Sequence, residues 1–193
     1  MDSRIKSVVF NEKEHTYWYN GKSLHGVTGA IGKLMGKSFP ETTTVKLATM
    51  YGSDVHKEIE NYYNEDSGML STEGAKWIVS ELDKFKSSCL LDPVKKIECE
   101  KMVSDFEGTA SKVDVVAWHE SGRATLFDIK TTTTFDRAYC SLQLSVYKRL
   151  FEENYDTEVL GMFVLGSKSK RSFRILEQEA HKVKKILDMN KAM

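Results

Sequence analysis

Val113-Asp114-Val115-Val116-Ala117-Trp118-His119-Glu120-Ser121-Gly122-Arg123-Ala124-Thr125-Leu126-Phe127-Asp128-Ile129-Lys130 is the stretch that decides the fold. Two β-prone runs flank Glu120-Ser121-Gly122, which suits a three-residue hairpin loop with Gly122 in the left-handed position. That loop sets His119 opposite Arg123, and therefore Asp114 opposite Asp128. Side chains alternate along a strand, so Asp128 and Lys130 share one face while Phe127 and Ile129 take the other. Like carboxylates facing each other are destabilising unless a cation lies between them. A loop one residue longer or shorter would turn Asp114 to the opposite face.

Working outward, Asp92-Pro93 breaks the chain before a third strand-like run, Val94–Val103. A turn centred on Glu107-Gly108 sets Glu100 opposite Asp114, which extends the row to three carboxylates on three neighbouring strands. Hard divalent ions such as Mg²⁺ or Mn²⁺ take oxygen ligands of this kind. Lys130, two residues beyond the last acid, has the reach to hold or help deprotonate an attacking water. After the strands, Tyr139, Leu142, Val146, Leu150 and Phe151 mark a helix over Asp136–Glu153, with Gln143 and Tyr147 together on one face at i and i+4. Val159–Leu165 reads as a strand, Ser172–Leu176 as another, and Glu177–Asn190 as a charged terminal helix.

Toward the N-terminus, Val8–Phe10, His15–Tyr19 and Lys22–Leu24 are short strands, the last two joined by Asn20-Gly21, a strong hairpin signal. Thr28 is the expected cap of a short helix toward Met35, and Gly36 and Pro40 punctuate the chain before a helical stretch from about Thr42. Gly52-Ser53 reads as an interruption, with Ser53 capping Asp54–Asn64. His56 and Glu60 share a face there. Ala75, Ile78, Val79, Leu82, Phe85 and Cys89 recur at helical spacing over Thr72–Ser88. The class that follows is α/β (α+β), a mixed sheet containing a three-stranded antiparallel meander flanked by helices.

The chain has 193 residues, 40% hydrophobic and 29% charged, the size and composition of one ordinary globular domain. The expected division is 1–40 as N-terminal hairpin and helix, 41–91 as a helical part, 92–167 as core and 168–193 as a C-terminal extension. Lys and Arg number 28, as do Asp and Glu, so charge argues for nucleic acid only locally, at Lys168, Lys170, Arg171 and Arg174. The longest apolar run, Val159–Ser167, is far short of the roughly 20 residues that cross a bilayer. Met1–Lys6 lacks the apolar region of a secretory signal, and a cytoplasmic location is expected. Cys89, Cys99 and Cys140 are too widely spaced for a disulfide framework or a CxxC cluster and read as reduced thiols.

Taken together, Gly52-Ser53-Asp54-Val55-His56, Glu100, Asp114, Asp128-Ile129-Lys130-Thr131 and Gln143-x-x-x-Tyr147 resemble the PD-(D/E)XK nuclease superfamily, in its RecB-like, phage-type exonuclease branch. His15-Thr16-Tyr17 and Gly26-Val27-Thr28 resemble that branch's N-terminal block, so the likeness spans about Phe10 to Tyr155. Ser111, where a glycine is usual, and Gly26, where a serine is common, depart from it. The resemblance implies a restriction-endonuclease-like core of helix, meander, helix and strand, and a Mg²⁺- or Mn²⁺-dependent DNA exonuclease of recombination or repair in a bacterial or phage-infected cell. It makes Asp114 and Asp128 the main metal ligands, completed by Glu100, His56 and the Ile129 carbonyl. Lys130 then positions the water, and Gln143, Tyr147 and Thr131 meet the substrate. Glu60, Lys168, Lys170 and Arg171 are weaker candidates. Relatives with a four-cysteine iron–sulfur cluster are excluded by three scattered cysteines. A structure-specific endonuclease and a non-catalytic nucleic-acid-binding protein are the competing readings. A recombinase or a single-strand-binding protein is the kind of partner such an enzyme meets.

Overall fold

The computed structural model describes residues 1–12, 14–36, 43–64 and 68–193, with backbone only for 43–46. A 3-10 turn over Ser3–Ser7 leads into a small antiparallel sheet of β1 (Val9–Asn11), β2 (Thr16–Tyr19) and β3 (Lys22–Leu24). Asn20 and Gly21 both have positive φ, as the hairpin turn between β2 and β3 demands. Helices α1 (Val27–Leu34), α2 (Thr43–Asn64) and α3 (Glu73–Ser88) follow. Then come β4 (Val94–Ser104), β5 (Ala110–His119), β6 (Ala124–Lys130), α4 (Arg137–Tyr155), β7 (Val159–Gly166), β8 (Arg171–Ile175) and α5 (Ala180–Lys191).

The large sheet runs β4-β5-β6-β7-β8, antiparallel except for β6 and β7, whose parallel pairing requires the crossover through α4. The expected registers are the observed ones. Val115 faces Phe127 and Trp118 faces Ala124 across β5–β6, with Gly122 at φ +83° in the loop. Cys99 faces Val115 and Lys101 faces Val113 across β4–β5, which puts Glu100 level with Asp114.

Two apolar layers cover the sheet. Phe127 and Ile129 meet Val55, Ile59, Ile78 and Leu82 of α2 and α3 on one face. Leu126 and Val116 meet Val27, Val146, Leu150 and Phe151 of α1 and α4 on the other, with Ile186 of α5 behind them. Alternation thus sends Asp128 and Lys130 to the α4 side. Because α4 is packed between sheet and α5, its Gln143 and Tyr147, expected together on one face, are both buried.

Two expectations about helix starts are corrected. Gly26, not Thr28, caps α1, and the Thr28 carbonyl instead accepts from the Tyr139 hydroxyl at 3.0 Å. Nor does Gly52-Ser53 interrupt α2, which runs unbroken from Thr43 to Asn64. A helical glycine costs about 1 kcal/mol, and here it permits a close approach: a Cβ on Gly52 would stand 2.9 Å from Thr131 Oγ1. The expected break at Pro40 lies outside the described residues.

Gly108 has a similar role at the β4–β5 turn. Its carbonyl accepts from His25 N–H at 2.8 Å, and a Cβ there would stand 2.6 Å from the Lys191 backbone at the end of α5. Gly108→Ala is expected to cost about 1–3 kcal/mol in urea unfolding, because backbone must shift on both sides. An unchanged midpoint and slope would show that α5 is not seated there.

Candidate active site

A cleft of about 590 Å³ opens between the N-terminal sheet with α1 and the edge of the large sheet. Its floor holds Glu100, Asp114, Asp128 and Lys130, with His56 entering from α2 and Gln143 and Tyr147 from α4. Phe10, Tyr17, His25 and Lys33 form the facing wall. The cleft therefore gathers His56, Glu100, Asp114, Asp128, Ile129, Lys130, Gln143 and Tyr147 from the sequence-predicted set. Thr131 lies just outside it against Gly52. Glu60 pairs with Lys57 at 3.0 Å and lines a neighbouring groove, and Lys168, Lys170 and Arg171 lie beyond the cleft on the β7–β8 turn.

Ligating atoms of His56, Glu100 and Asp114 lie within 4.8 Å of one another, enough for one ion to touch all three. His56 Nδ1 is 3.7 Å from Glu100 Oε1 and 3.8 Å from Asp114 Oδ1. Asp114 Oδ2 accepts from Ile129 N–H at 2.6 Å, so its side chain takes the place of a ladder bond and holds that carboxylate against β6. Glu100 has φ +54° within β4, a left-handed conformation in an otherwise extended strand. Such strained positions concentrate where surrounding structure enforces them.

A second chain of contacts fixes the lysine. Lys130 Nζ lies 2.9 Å from Asp128 Oδ1 and 2.8 Å from Oδ2, and donates to Gln143 Oε1 at 3.1 Å. Gln143 Nε2 donates to the Tyr147 hydroxyl at 2.9 Å, and Ser111 Oγ donates to the same hydroxyl at 3.0 Å. Ser111 is thus part of the network. Asp128 is only 1% exposed, and its Oδ2 accepts no well-directed hydrogen bond despite the nearby ammonium.

The electrostatics favour a cation here. Burial raises the Asp114 carboxyl; His56 opposes this, while Asp128 and Glu100 push it further, leaving it well above the usual range. Burial alone would lower the His56 imidazole, but Asp114 and Glu100 outweigh it and raise the group to about 9. Burial would likewise raise Glu100, yet His56 and Lys112 hold it below an ordinary carboxyl. The carboxyl groups thus favour the protonated form of His56, and the raised Asp114 marks the cluster as short of positive charge. The donor set of carboxylate oxygens with one imidazole, together with the under-bonded buried oxygen of Asp128, fits Mg²⁺ or Mn²⁺.

A metal ion requires neutral His56 and ionised Asp114, so its binding expels protons bound at low pH. Affinity for Mn²⁺ is expected to rise about tenfold per pH unit between the Asp114 value of about 7 and the His56 value of about 9, where one proton is released, to rise more steeply below that window and to level off above it. Calorimetric titrations across that range check it; pH-independent affinity would remove His56 from the ligand set.

Sequence reading missed Lys112, whose ammonium lies 3.5 Å from Glu100 Oε2 and 4.4 Å from the Phe10 ring centroid. The signal was present: Lys112 is two residues before Asp114 and so shares its face. Lys33 and His25 had no comparable local signal.

No protein-family model and no curated protein matches the chain. Among solved structures, one from Eubacterium rectale described as a "Putative exonuclease" overlays with a TM-score of 0.41 and 14% identity, covering 88% of this chain and 77% of that one. Among the described residues, no helix is long and apolar enough to cross a membrane.

Proposed function

We propose that this protein is a divalent-metal-dependent nuclease that hydrolyses phosphodiester bonds in DNA, acting as an exonuclease. The observation that carries the reading is the convergence of Glu100, Asp114, Asp128 and Lys130 in one cleft. They come from three strands whose registers are fixed by the turns that join them. Asp114, Glu100 and His56 would hold the ion, with Asp128 beside them. When bound, such an ion stabilises charge developing on a phosphate and makes water more acidic.

The protein's own groups do the rest. Asp114 is oriented by the Ile129 N–H, which keeps one oxygen facing the cleft. Burial opposes the charge of Lys130, but Asp128 and Asp114 outweigh it and raise its affinity for a proton, so it remains an ammonium at neutral pH. It then acts as a hydrogen-bond donor that orients water or phosphate, the first half of the role expected for it. Gln143 and Tyr147 keep that donor aimed. The facing wall carries Lys33 and His25, both suited to substrate phosphates.

The test uses end-labelled linear DNA, single- and double-stranded, and a closed circle, each with Mg²⁺, Mn²⁺ or EDTA. Metal-dependent shortening of linear DNA that spares the circle supports the reading, and loss of label at one end gives polarity. Cutting of the circle would instead make it an endonuclease. Absence of cutting with binding retained would leave a non-catalytic nucleic-acid-binding protein.

A further inference from the structure

The large sheet sets out the candidate site in strand order: Glu100 on β4, Asp114 on β5, Asp128 and Lys130 on β6. One strand further, Lys130 faces Gly166 in the parallel β6–β7 pairing, and Ser167 N–H donates to the Lys130 carbonyl at 2.9 Å. The β7–β8 turn therefore begins where the row of site residues ends. Both parallel strands terminate at this edge, and open α/β sheets bind ligands beyond the carboxyl ends of such strands.

That turn is cationic. Gly166–Ile175 contains Lys168, Lys170, Arg171 and Arg174 and no acid, in a chain whose 28 basic and 28 acidic residues balance. Lysines elsewhere on the surface, such as Lys57, Lys76, Lys84 and Lys96, pair with carboxylates within 3.0 Å. Among the described residues none of the four cations in this segment has such a partner. Lys168 Nζ lies 5.1 Å from the Tyr51 ring centroid, and Lys170 Nζ lies 5.6 Å from that of Trp77 while donating to the Glu73 carbonyl at 2.9 Å. Their ammonium groups thus sit over rings of α2 and α3 with no carboxylate in ion-pair contact among the described residues, Glu73 acting on Lys170 only at longer range. Tyr51 adjoins Gly52, the close approach to Thr131 just after Lys130. Arg171 pairs with Gly166 at the start of β8, whereas Arg174 lines a separate groove beside Phe85 and Leu91.

We infer that the β7–β8 turn is a phosphate track. Lys168, Lys170 and Arg171 hold backbone phosphates of a nucleic-acid strand that crosses the sheet edge from β4 toward β8. The phosphate to be cut lies at the carboxylates and Lys130. Phosphate contacts of this sort position a strand without reading its sequence. The identity of the polyanion rests on the nuclease reading above.

The experiment measures binding of a labelled oligothymidylate in Ca²⁺ as a function of salt. It compares the wild type with a variant carrying Lys168→Met, Lys170→Met and Arg171→Gln, which keeps the stems and removes the charges. Each single-strand phosphate contact contributes about 0.7 to the slope of log affinity against log salt, so the variant is expected to lose about 2 from that slope. A charge-conserving variant, Lys168→Arg with Lys170→Arg and Arg171→Lys, is expected to retain the slope, and so is Arg174→Gln. A wild-type slope in the uncharged variant overturns the track while leaving the nuclease reading standing. Loss of slope in the charge-conserving variant also overturns it, since the turn would then act by shape. A wild type that neither binds nor cuts nucleic acid overturns both.

Discussion

Asp128→Ala is expected to destabilise the metal-free protein by about 3 kcal/mol, at the lower end of the range for removing one partner of a buried ion pair. The reason is the group left behind. Asp128 is 1% exposed, and the Lys130 side chain, 23% exposed, has its ammonium 2.8 Å from Asp128 Oδ2. Without that carboxylate the charge keeps the Gln143 oxygen and partial contact with water. Lys130→Met alone strands the buried carboxylate, whereas Asp128→Ala combined with Lys130→Met removes both charges and leaves an apolar stem against α4. Urea unfolding of the four proteins forms a double-mutant cycle. The double variant is expected to be more stable than Asp128→Ala, with a coupling of about 2 kcal/mol. Additive single effects would mean that the contact carries no net energy.

The second large effect concerns rate. Lys130→Met is expected to lower metal-dependent DNA hydrolysis by about 10²- to 10³-fold, the size typical for losing one preorganised donor at a developing charge. Mn²⁺ affinity is expected to hold or increase, because a cation beside the carboxylates is gone. Asp114→Asn contrasts with it, losing both affinity and rate as the charge facing His56 disappears. Single-turnover rates at saturating Mn²⁺ separate the two. A Lys130→Met protein with wild-type rates would remove Lys130 from the chemistry. One whose defect is rescued by more metal would make it a ligand-organising residue instead.

Some of this architecture was legible because local chemistry enforces it. The Glu120-Ser121-Gly122 loop admits one register for β5 and β6, and a one-residue slip would have turned Phe127 and Ile129 away from α2 and α3. The Asp105 turn fixed β4 against β5 equally well, because its Oδ1 accepts from the N–H groups of Glu107, Gly108 and Thr109. Gly52 misled for the opposite reason. Its helix-breaking tendency is a local preference of about 1 kcal/mol, easily outweighed by the contacts of Val55 and Ile59 with the sheet.

Period and turn chemistry act between near neighbours, so the order of elements, the registers of the meander and the face on which Asp114, Asp128 and Lys130 stand are written locally along the chain. The burial of Gln143 and Tyr147 against Lys130 and Ser111 comes instead from packing between distant segments. The same packing placed Lys112 on Glu100 and set the cations of the β7–β8 turn beside the end of β6. Those placements depend on how helices seat on a sheet, where packing of side chains distant in sequence outweighs any preference of a residue for its own surroundings.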